Sequence, residues 1–352
     1  MADPDDPDDA DEDDRGHGDG DGDDDDRGHG ADDDDDQAEQ DLPLVRFPSL
    51  ADEADLAAWV GTSNDDLRHL LDDVGLRYRS ISLRKRRGDG VRQVYAVESR
   101  LAAIQKALGR SIAAASTPPP HVFGFVKGGS TVKHAQQHVG RALVLRVDLR
   151  DFFGSVTGKH VREAFALLGA SGSALDALVR LCTLDDRLPQ GASSSPALSN
   201  LAARHLDADL LALAGRIGCT YTRYADDLVF SGDTVVDVAQ VTALAAAQGF
   251  AVNPDKTRLQ KRGRAQYVNG LTVGERDRPH VPRALKRALR SELRLAARFG
   301  FRDRKRRKRL YGLVAYVSGI DGALGERLRA LYDAADHEHG VVVGQGKTSS
   351  SP

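Results

Sequence analysis

The sequence predicts an α+β chain in which short strands carry the chemistry and helices pack around them. Three observations lead there. Aromatic and β-branched residues flank Ala225-Asp226-Asp227 on both sides, from Thr220 to Ser231, which reads as two strands joined by a tight turn. Leu143 to Leu149 is an apolar run of strand length, broken at Arg146 and again by Asp148 near its end. Around both runs lie segments of helical periodicity closed by Gly, Pro and Ser punctuation.

The 352 residues suffice for two or three packed units, and 40% hydrophobic content supports a core. Cys182 and Cys219 provide neither a disulfide framework nor zinc spacing, so a reducing compartment is expected. With no membrane-length apolar run and no leader pattern, the expectation is a soluble cytoplasmic protein without a membrane partner. The net charge of -4 hides a split. Residues 1–41 hold 22 Asp and Glu against 2 Arg; of 49 Lys+Arg and 53 Asp+Glu this leaves 47 and 31 for the rest, or +16. A basic body with an acidic tail points to a polyanionic partner, nucleic acid first.

Residues 1–41 repeat Asp-Asp-Arg-Gly-His-Gly and hold almost no apolar side chain, so they are expected to be disordered. Helices are expected over Leu50–Val60 and Asp65–Val74, the second capped by Ser63 with Asp66. Strands at Tyr78–Leu83 and Val91–Val97 bracket the basic loop Arg84-Lys85-Arg86-Arg87-Gly88-Asp89-Gly90, suited to gripping phosphates or simply solvated. A helix over Leu101–Ala115 ends before Pro118-Pro119-Pro120. The glycines of Val122-Phe123-Gly124-Phe125-Val126-Lys127-Gly128-Gly129 allow close approach of the backbone to another chain. His134 and His138 share a helical face; with no third ligand nearby, hydrogen bonding to RNA or to the core is expected rather than zinc. Helices follow over Lys159–Leu168 and Gly172–Thr183. The small-residue loop Leu188 to Asn200 leads into a helix over Ala197–Leu213 and is a place for a phosphate or nucleotide. After the Asp226-Asp227 hairpin come a helix over Val235–Gln248, a loop closed by Lys256 and a strand over Tyr267–Val273. From Pro282 the chain is helical and basic, densest at Arg302 to Arg309, and fit for a nucleic-acid backbone. The tail after His339 is expected to fray.

Two adjacent carboxylates at a hairpin tip repel, and Arg223 is the one neighbour in sequence that offers neutralisation. A solvated turn accounts for them, since Asp favours turns. A bound divalent cation accounts for them as well if a third acid is near, and Asp148 at a strand end is the candidate.

Taken together, several stretches resemble a reverse transcriptase, most closely the bacterial retron type. Tyr224-Ala225-Asp226-Asp227 looks like the family's YxDD hairpin, and Asp148-Leu149-Arg150-Asp151-Phe152-Phe153-Gly154-Ser155-Val156 resembles its first acidic motif. Leu188 to Asn200 is similar to LPQGxxxSPxLSN, and Asn253-Pro254-Asp255-Lys256-Thr257 to the lysine loop after the hairpin. Four motifs in the family's order, within Lys85 to Leu331, are far more specific than any one. Two departures stand out: His134-Ala135-Gln136-Gln137-His138 has His for the usual Asn of NAxxH, and Val268-Asn269-Gly270 has Asn for the usual Thr of VTG.

The resemblance implies a right-hand polymerase. Its parts would be N-terminal helices and fingers over 42–135, a palm of antiparallel sheet and packed helices over 136–280 with a fingers insertion near 157–195, and a basic helical thumb over 281–338. It implies an RNA-directed DNA polymerase using two Mg2+ ions on Asp148, Asp226 and Asp227. Lys85 and Arg92 would hold the triphosphate, Phe153 would exclude a ribose 2′-hydroxyl, Gln190 and Gly191 would lie against the nucleotide, and Lys256 would meet the pyrophosphate. His138, Asn269, Arg304, Arg306 and Arg307 would contact RNA. The implied partners are a structured non-coding RNA as template and primer, the RNA–DNA duplex, dNTPs and an effector protein, with a branched RNA–DNA product in anti-phage defence. The alternatives are an abortive-infection or group II intron-like reverse transcriptase, or a non-catalytic RNA-binding scaffold. Maturase and endonuclease regions of a full intron protein are not expected, since little sequence follows the thumb.

Overall fold

A computed structural model describes residues 47–84, 90–275 and 277–339. The acidic segment 1–41, the C-terminal tail beyond His339, and Lys85 with most of its loop therefore lie outside the described residues. In chain order the elements are α1 (Glu53–Val60), α2 (Asn64–Asp72), β1 (Tyr78–Arg84), β2 (Val91–Val97), α3 (Ser99–Ala115), α4 (Thr131–Gln136), β3 (Leu143–Arg150), α5 (Phe152–Ser155), α6 (Gly158–Leu167) and α7 (Gly172–Cys182). There follow α8 (Ser195–Ala202), α9 (Arg204–Ile217), β4 (Thr220–Tyr224), β5 (Asp227–Gly232), α10 (Val238–Ala247), β6 (Ala251–Lys261), β7 (Tyr267–Val268), β8 (Leu271–Thr272), α11 (Arg283–Phe299), α12 (Arg304–Ser318) and α13 (Gly322–His339).

Capping sets several boundaries more tightly than periodicity does. Helix α1 starts at Glu53 rather than Leu50 because Asp52 and Asp55 form a reciprocal capping box. Ser63 caps α2 as expected, its hydroxyl accepting from the Asp66 N–H at 3.0 Å. Helix α10 starts at Val238, three residues later than expected, because Asp237 caps it through the Ala239 N–H. The single helix expected over Ala197–Leu213 is two, α8 and α9, separated at Ala203, whose ψ of -2° leaves the helical range.

Strands β4, β5, β3 and β6 form one antiparallel sheet in that order. Because side chains alternate across a strand, each face has its own company. Leu145, Val147, Leu149, Tyr221, Leu228 and Phe230 join the main core with α1–α3 and α6–α10. Val144 and Val229 face the other way, into a small core with Ala135, Val268, Leu271 and Val273. Arg146 and Asp148 follow Val144 on this second face, and Asp227 follows Val229.

Two expectations about the third strand region are corrected. Lys256 does not close a loop ahead of the next strand but lies within β6, where the register jumps from Arg146↔Arg258 to Asp148↔Asn253. Four residues of β6, 254–257, thus oppose Val147 alone, a bulge that bends the strand and aims Lys256 back over β3. The strand expected over Tyr267–Val273 is instead a short hairpin, β7–β8. Asn269 and Gly270 make its turn with φ of 48° and 79°, the left-handed pair of a type I′ turn, and the Asn-Gly dipeptide was its signal.

Hairpin β1–β2 stands apart as a two-stranded sheet. The C-terminal helices α11–α13 close on a core of their own, built from Leu289, Leu293, Leu310, Val314, Leu328 and Tyr332 among others. Among the described residues no helix is long and apolar enough to cross a membrane.

Candidate active site

The ladder between β3 and β5 places Asp148 directly opposite Asp227. The turn between β4 and β5 is Ala225-Asp226, one residue shorter than expected, because Tyr224 already pairs with Asp227. Ala225 adopts φ 56°, a left-handed value unusual for a residue with a Cβ. The Leu149 N–H donates to the Asp226 carbonyl at 2.9 Å, so the turn is tied to the end of β3. Three carboxylates from two distant segments therefore meet at one end of the sheet.

The electrostatics match that crowding. Asp226 is pushed up to about 6, first by burial and then by the negative charges of Asp227 and Asp148. Like charges ~4 Å apart near a protein surface repel by about 4 kcal/mol, enough to hold one proton longer than usual. The expected neutraliser, Arg223, is not there. It lies opposite Leu228 on the other face of the sheet, fully buried, and its guanidinium binds Asp207 of α9 at 2.7 and 2.8 Å. Arg146 does the work instead, donating to Asp227 at 3.1 and 3.3 Å. On the other side Lys256 Nζ reaches Asp148 at 3.0 Å, and Asn253 Nδ2 donates to the second oxygen at 3.2 Å. Arg146 was visible in the sequence as a charge two residues before Asp148 in an apolar strand, hence on the same face.

Beneath the turn a buried network fixes its path. Arg223 also donates to the Ala225 carbonyl at 3.2 Å and to Asn200 Oδ1 at 3.0 Å, and Asn200 Nδ2 donates to the Gly124 carbonyl at 3.0 Å. The glycine segment approaches this chain's own turn rather than another chain: a Cβ on Gly124 would sit 2.4 Å from the Ala225 nitrogen. Asn200 ends the LSN stretch, so two sequence motifs meet through one side chain.

Gln190 and Gly191 are held by the β1–β2 hairpin. The Tyr95 N–H donates to the Gln190 carbonyl at 2.8 Å, and Gly191, at φ 111°, leaves no room for a Cβ, which would lie 2.4 Å from the Tyr95 carbonyl oxygen. Arg92 is exposed on the same hairpin, paired with Leu83. Phe153 is half-buried in α5, with Phe152 at 5.8 Å and Phe125 at 5.7 Å between ring centroids. The chemistry of the donor set fits a hard cation: three oxygen-donor side chains lie at one end of the sheet, burial and then the two neighbouring negative charges raise Asp226, and a cation there would relieve the repulsion.

Residues 83–273 match the family described as reverse transcriptase (RNA-dependent DNA polymerase). The chain is 38% identical over 322 residues to the retron Mx65 reverse transcriptase of Myxococcus xanthus, covering 82% of this chain and 73% of that one. To the retron Mx162 reverse transcriptase of the same organism it is 32% identical, over 78% and 65% of the two chains. To the retron Ec86 reverse transcriptase of Escherichia coli the identity is 31%, over 63% and 71%. The chain belongs to the retron-type reverse transcriptases. It is an RNA-directed DNA polymerase of α+β polymerase fold, a family that works on an RNA template with dNTPs and divalent metal ions.

In this reverse transcriptase the two departures from the retron pattern turn out to touch. His134 Nδ1 and Asn269 Oδ1 are 2.7 Å apart. His134 Nε2 and His138 Nε2 both lie 2.6 Å from the Thr222 hydroxyl, and His138 Nδ1 lies 2.7 Å from the Ser231 hydroxyl. This corrects the expectation that His138 contacts RNA, since it is fully buried with both ring nitrogens engaged; Asn269, half-buried, gives its Oδ1 to His134. Burial lowers His134 to about 4 and His138 to about 3, so both rings are neutral.

In the basic C-terminal helices Arg304 is exposed. Arg306 pairs with Glu292 at 3.0 Å and Arg307 with Asp336 at 2.6 and 2.7 Å, partly exposed pairs that join α12 to α11 and α13. Away from these acids, Glu275, Asp277 and His280 bring their ligand atoms within 4.8 Å of one another. There His280 Nε2 lies 2.9 Å from Glu275 and 3.1 Å from Asp277, and these contacts within the group account for the cluster.

Proposed function

We propose that the enzyme adds dNTPs by in-line displacement at Asp148, Asp226 and Asp227, with residues 42–135 and the insertion near 157–195 as fingers, 136–280 as palm and 281–338 as thumb. The observation that carries this is the register Asp148↔Asp227, with the Asp226 turn tied to Leu149. Two Mg2+ ions held by these carboxylates would supply the positive charge that stabilises the attacking and leaving oxygens. Asn253 orients Asp148. Lys256, 62% exposed at its side chain, is free to leave Asp148 and neutralise or protonate the departing pyrophosphate. Arg146 holds Asp227 in place. Arg92, with Lys85, grips the triphosphate; Gln190 and Gly191, locked to Tyr95, form the wall behind the nucleotide. The Phe153 ring offers a 2′-hydroxyl neither space nor a hydrogen bond, which favours deoxynucleotides.

We further propose, from membership of the retron type alone, a structured non-coding RNA as template and primer, a branched RNA–DNA product and a part in anti-phage defence with an effector protein. Primer extension on RNA with Mg2+ and dNTPs tests the site. Asp226→Ala and Asp148→Ala are expected to reduce it by at least about a thousandfold, and undiminished extension by Asp226→Ala would remove the assignment. Sequencing of the nucleic acid that copurifies with the enzyme tests the biology: a branched RNA–DNA species supports it, and unbranched cDNA from unrelated RNAs contradicts it.

A further inference from the structure

The segment before α4 contains a residue whose placement the reaction as described does not explain. Residues 121–124 run beside β4 as a welded edge: the Arg223 N–H donates to the His121 carbonyl at 2.8 Å, the Phe123 N–H to the Arg223 carbonyl at 2.9 Å, and Gly124 abuts Ala225. The next residue, Phe125, sits at φ 59°, a strained backbone for a bulky aromatic residue. The residue remains 42% exposed, so only part of its apolar surface is buried. What the ring does contact is Phe153, centroid to centroid 5.7 Å at a tilt of 48°. Phe153 thus lies with Phe152, itself buried, as one aromatic neighbour and Phe125, exposed, as the other.

From this geometry we infer that Phe125 is a positioning residue for sugar selection: it holds the Phe153 ring from the solvent side, and it couples that ring to the catalytic turn through Gly124 and Ala225. A ring with a single neighbour can swing away from an incoming 2′-hydroxyl; a ring braced by two cannot do so without losing an aromatic contact. Strain at residue 125 is the expected signature of a backbone chosen for where it sends the side chain. The inference rests on the reading of Phe153 as the group that meets the sugar.

The test is the ratio of kcat/KM for a dNTP to that for the matching rNTP, measured on RNA-templated extension by the full chain. Phe125→Gly suits φ 59° and relieves the strain, and thermal unfolding checks that the variant folds. Its discrimination is expected to drop about three- to tenfold, the loss of one aromatic contact. Phe125→Leu, which retains an apolar side chain, is expected to fall in between and stands in should the glycine variant not fold. In a Phe153→Ala background, Phe125→Gly should cost no further discrimination. Wild-type selectivity in Phe125→Gly and Phe125→Leu beside a relaxed Phe153→Ala overturns the inference and leaves the Phe153 reading intact. Additive losses overturn it too, since Phe125 would then act on the nucleotide by itself. Unchanged selectivity in Phe153→Ala removes the reading beneath it.

Discussion

The sheet that carries the acids and the helical bundle that follows it both hold many charges, and they use them in opposite ways. Under the sheet, Arg223 and Asp207 have side chains 0% and 3% exposed, bonded in a bidentate pair and braced by Tyr221 and Asn200. In the bundle, Glu292 meets Arg306 and Arg309 with side chains 24–53% exposed. A buried pair specifies geometry because breaking it strands a charge; a wet pair can open whenever a phosphate competes for the arginine. The contrast suits the proposed roles, a carboxylate cluster that must keep its geometry and a thumb that must release and rebind a polyanion.

Four measurements would break or sharpen that contrast. The largest effect should come from Asp207→Ala, which leaves Arg223 buried and unpaired: a loss of about 3–5 kcal/mol in denaturant unfolding is expected. A loss below about 1 kcal/mol would mean the pair is not buried as described. Acid should come next. His134 and His138 are neutral when folded, with values lowered to about 4 and 3, whereas unfolded histidine titrates near about 6.5. Between those limits the unfolded chain binds more protons, so stability is complete above about pH 6.5 and falls as pH drops. At pH 5 each ring should cost on the order of 2 kcal/mol, and His138→Phe should flatten the profile. Flat unfolding midpoints from pH 7.5 to 5 in the parent would contradict this.

Smaller and opposite in sign is Asp226→Asn. The raised value of Asp226, about 6, means the folded carboxylate resists ionisation between about pH 4 and 6, so its charge destabilises the metal-free enzyme at neutral pH. The variant should be inactive yet unfold later without metal, by on the order of 1–2 kcal/mol. Equal or lower stability would show that the acids are not crowded. Glu292→Ala in the bundle should shift unfolding by less than about 1 kcal/mol, and a larger loss would erase the distinction between the two regions.

Much of this was legible in the sequence, and what was not has a common cause. Elements whose signals are local came out close to their observed bounds. Hairpin β1–β2 and strand β3 are examples, as is α2, whose Ser63 cap sits three residues from its partner. Errors gathered where a local pattern had a second outcome. Asn269-Gly270 is a turn inside what reads as one β run, and Lys256 rides a bulge inside what reads as a loop. Charge partners were the least legible. Arg146 finds Asp227 81 residues away and Lys256 finds Asp148 108 residues away, whereas adjacent Arg223 points to the opposite face. His134 and Asn269, two separate departures from the retron pattern, are one hydrogen-bonded pair across 135 residues.

By itself the sequence determined the family, the order of the motifs and the three carboxylates, because these depend on residue type and spacing along the chain. Only the tertiary structure decided which cations balance those carboxylates, that His138 is core rather than surface, and that Phe125 stands against Phe153. The first depends on strand register, since in a sheet a shift of one residue sends every side chain to the other face, and the others on contacts between segments far apart in the chain. The crowded turn of Tyr224-Ala225-Asp226-Asp227 is where the two meet: its charges are written in the chain, and their repulsion exists only once β3 lies alongside.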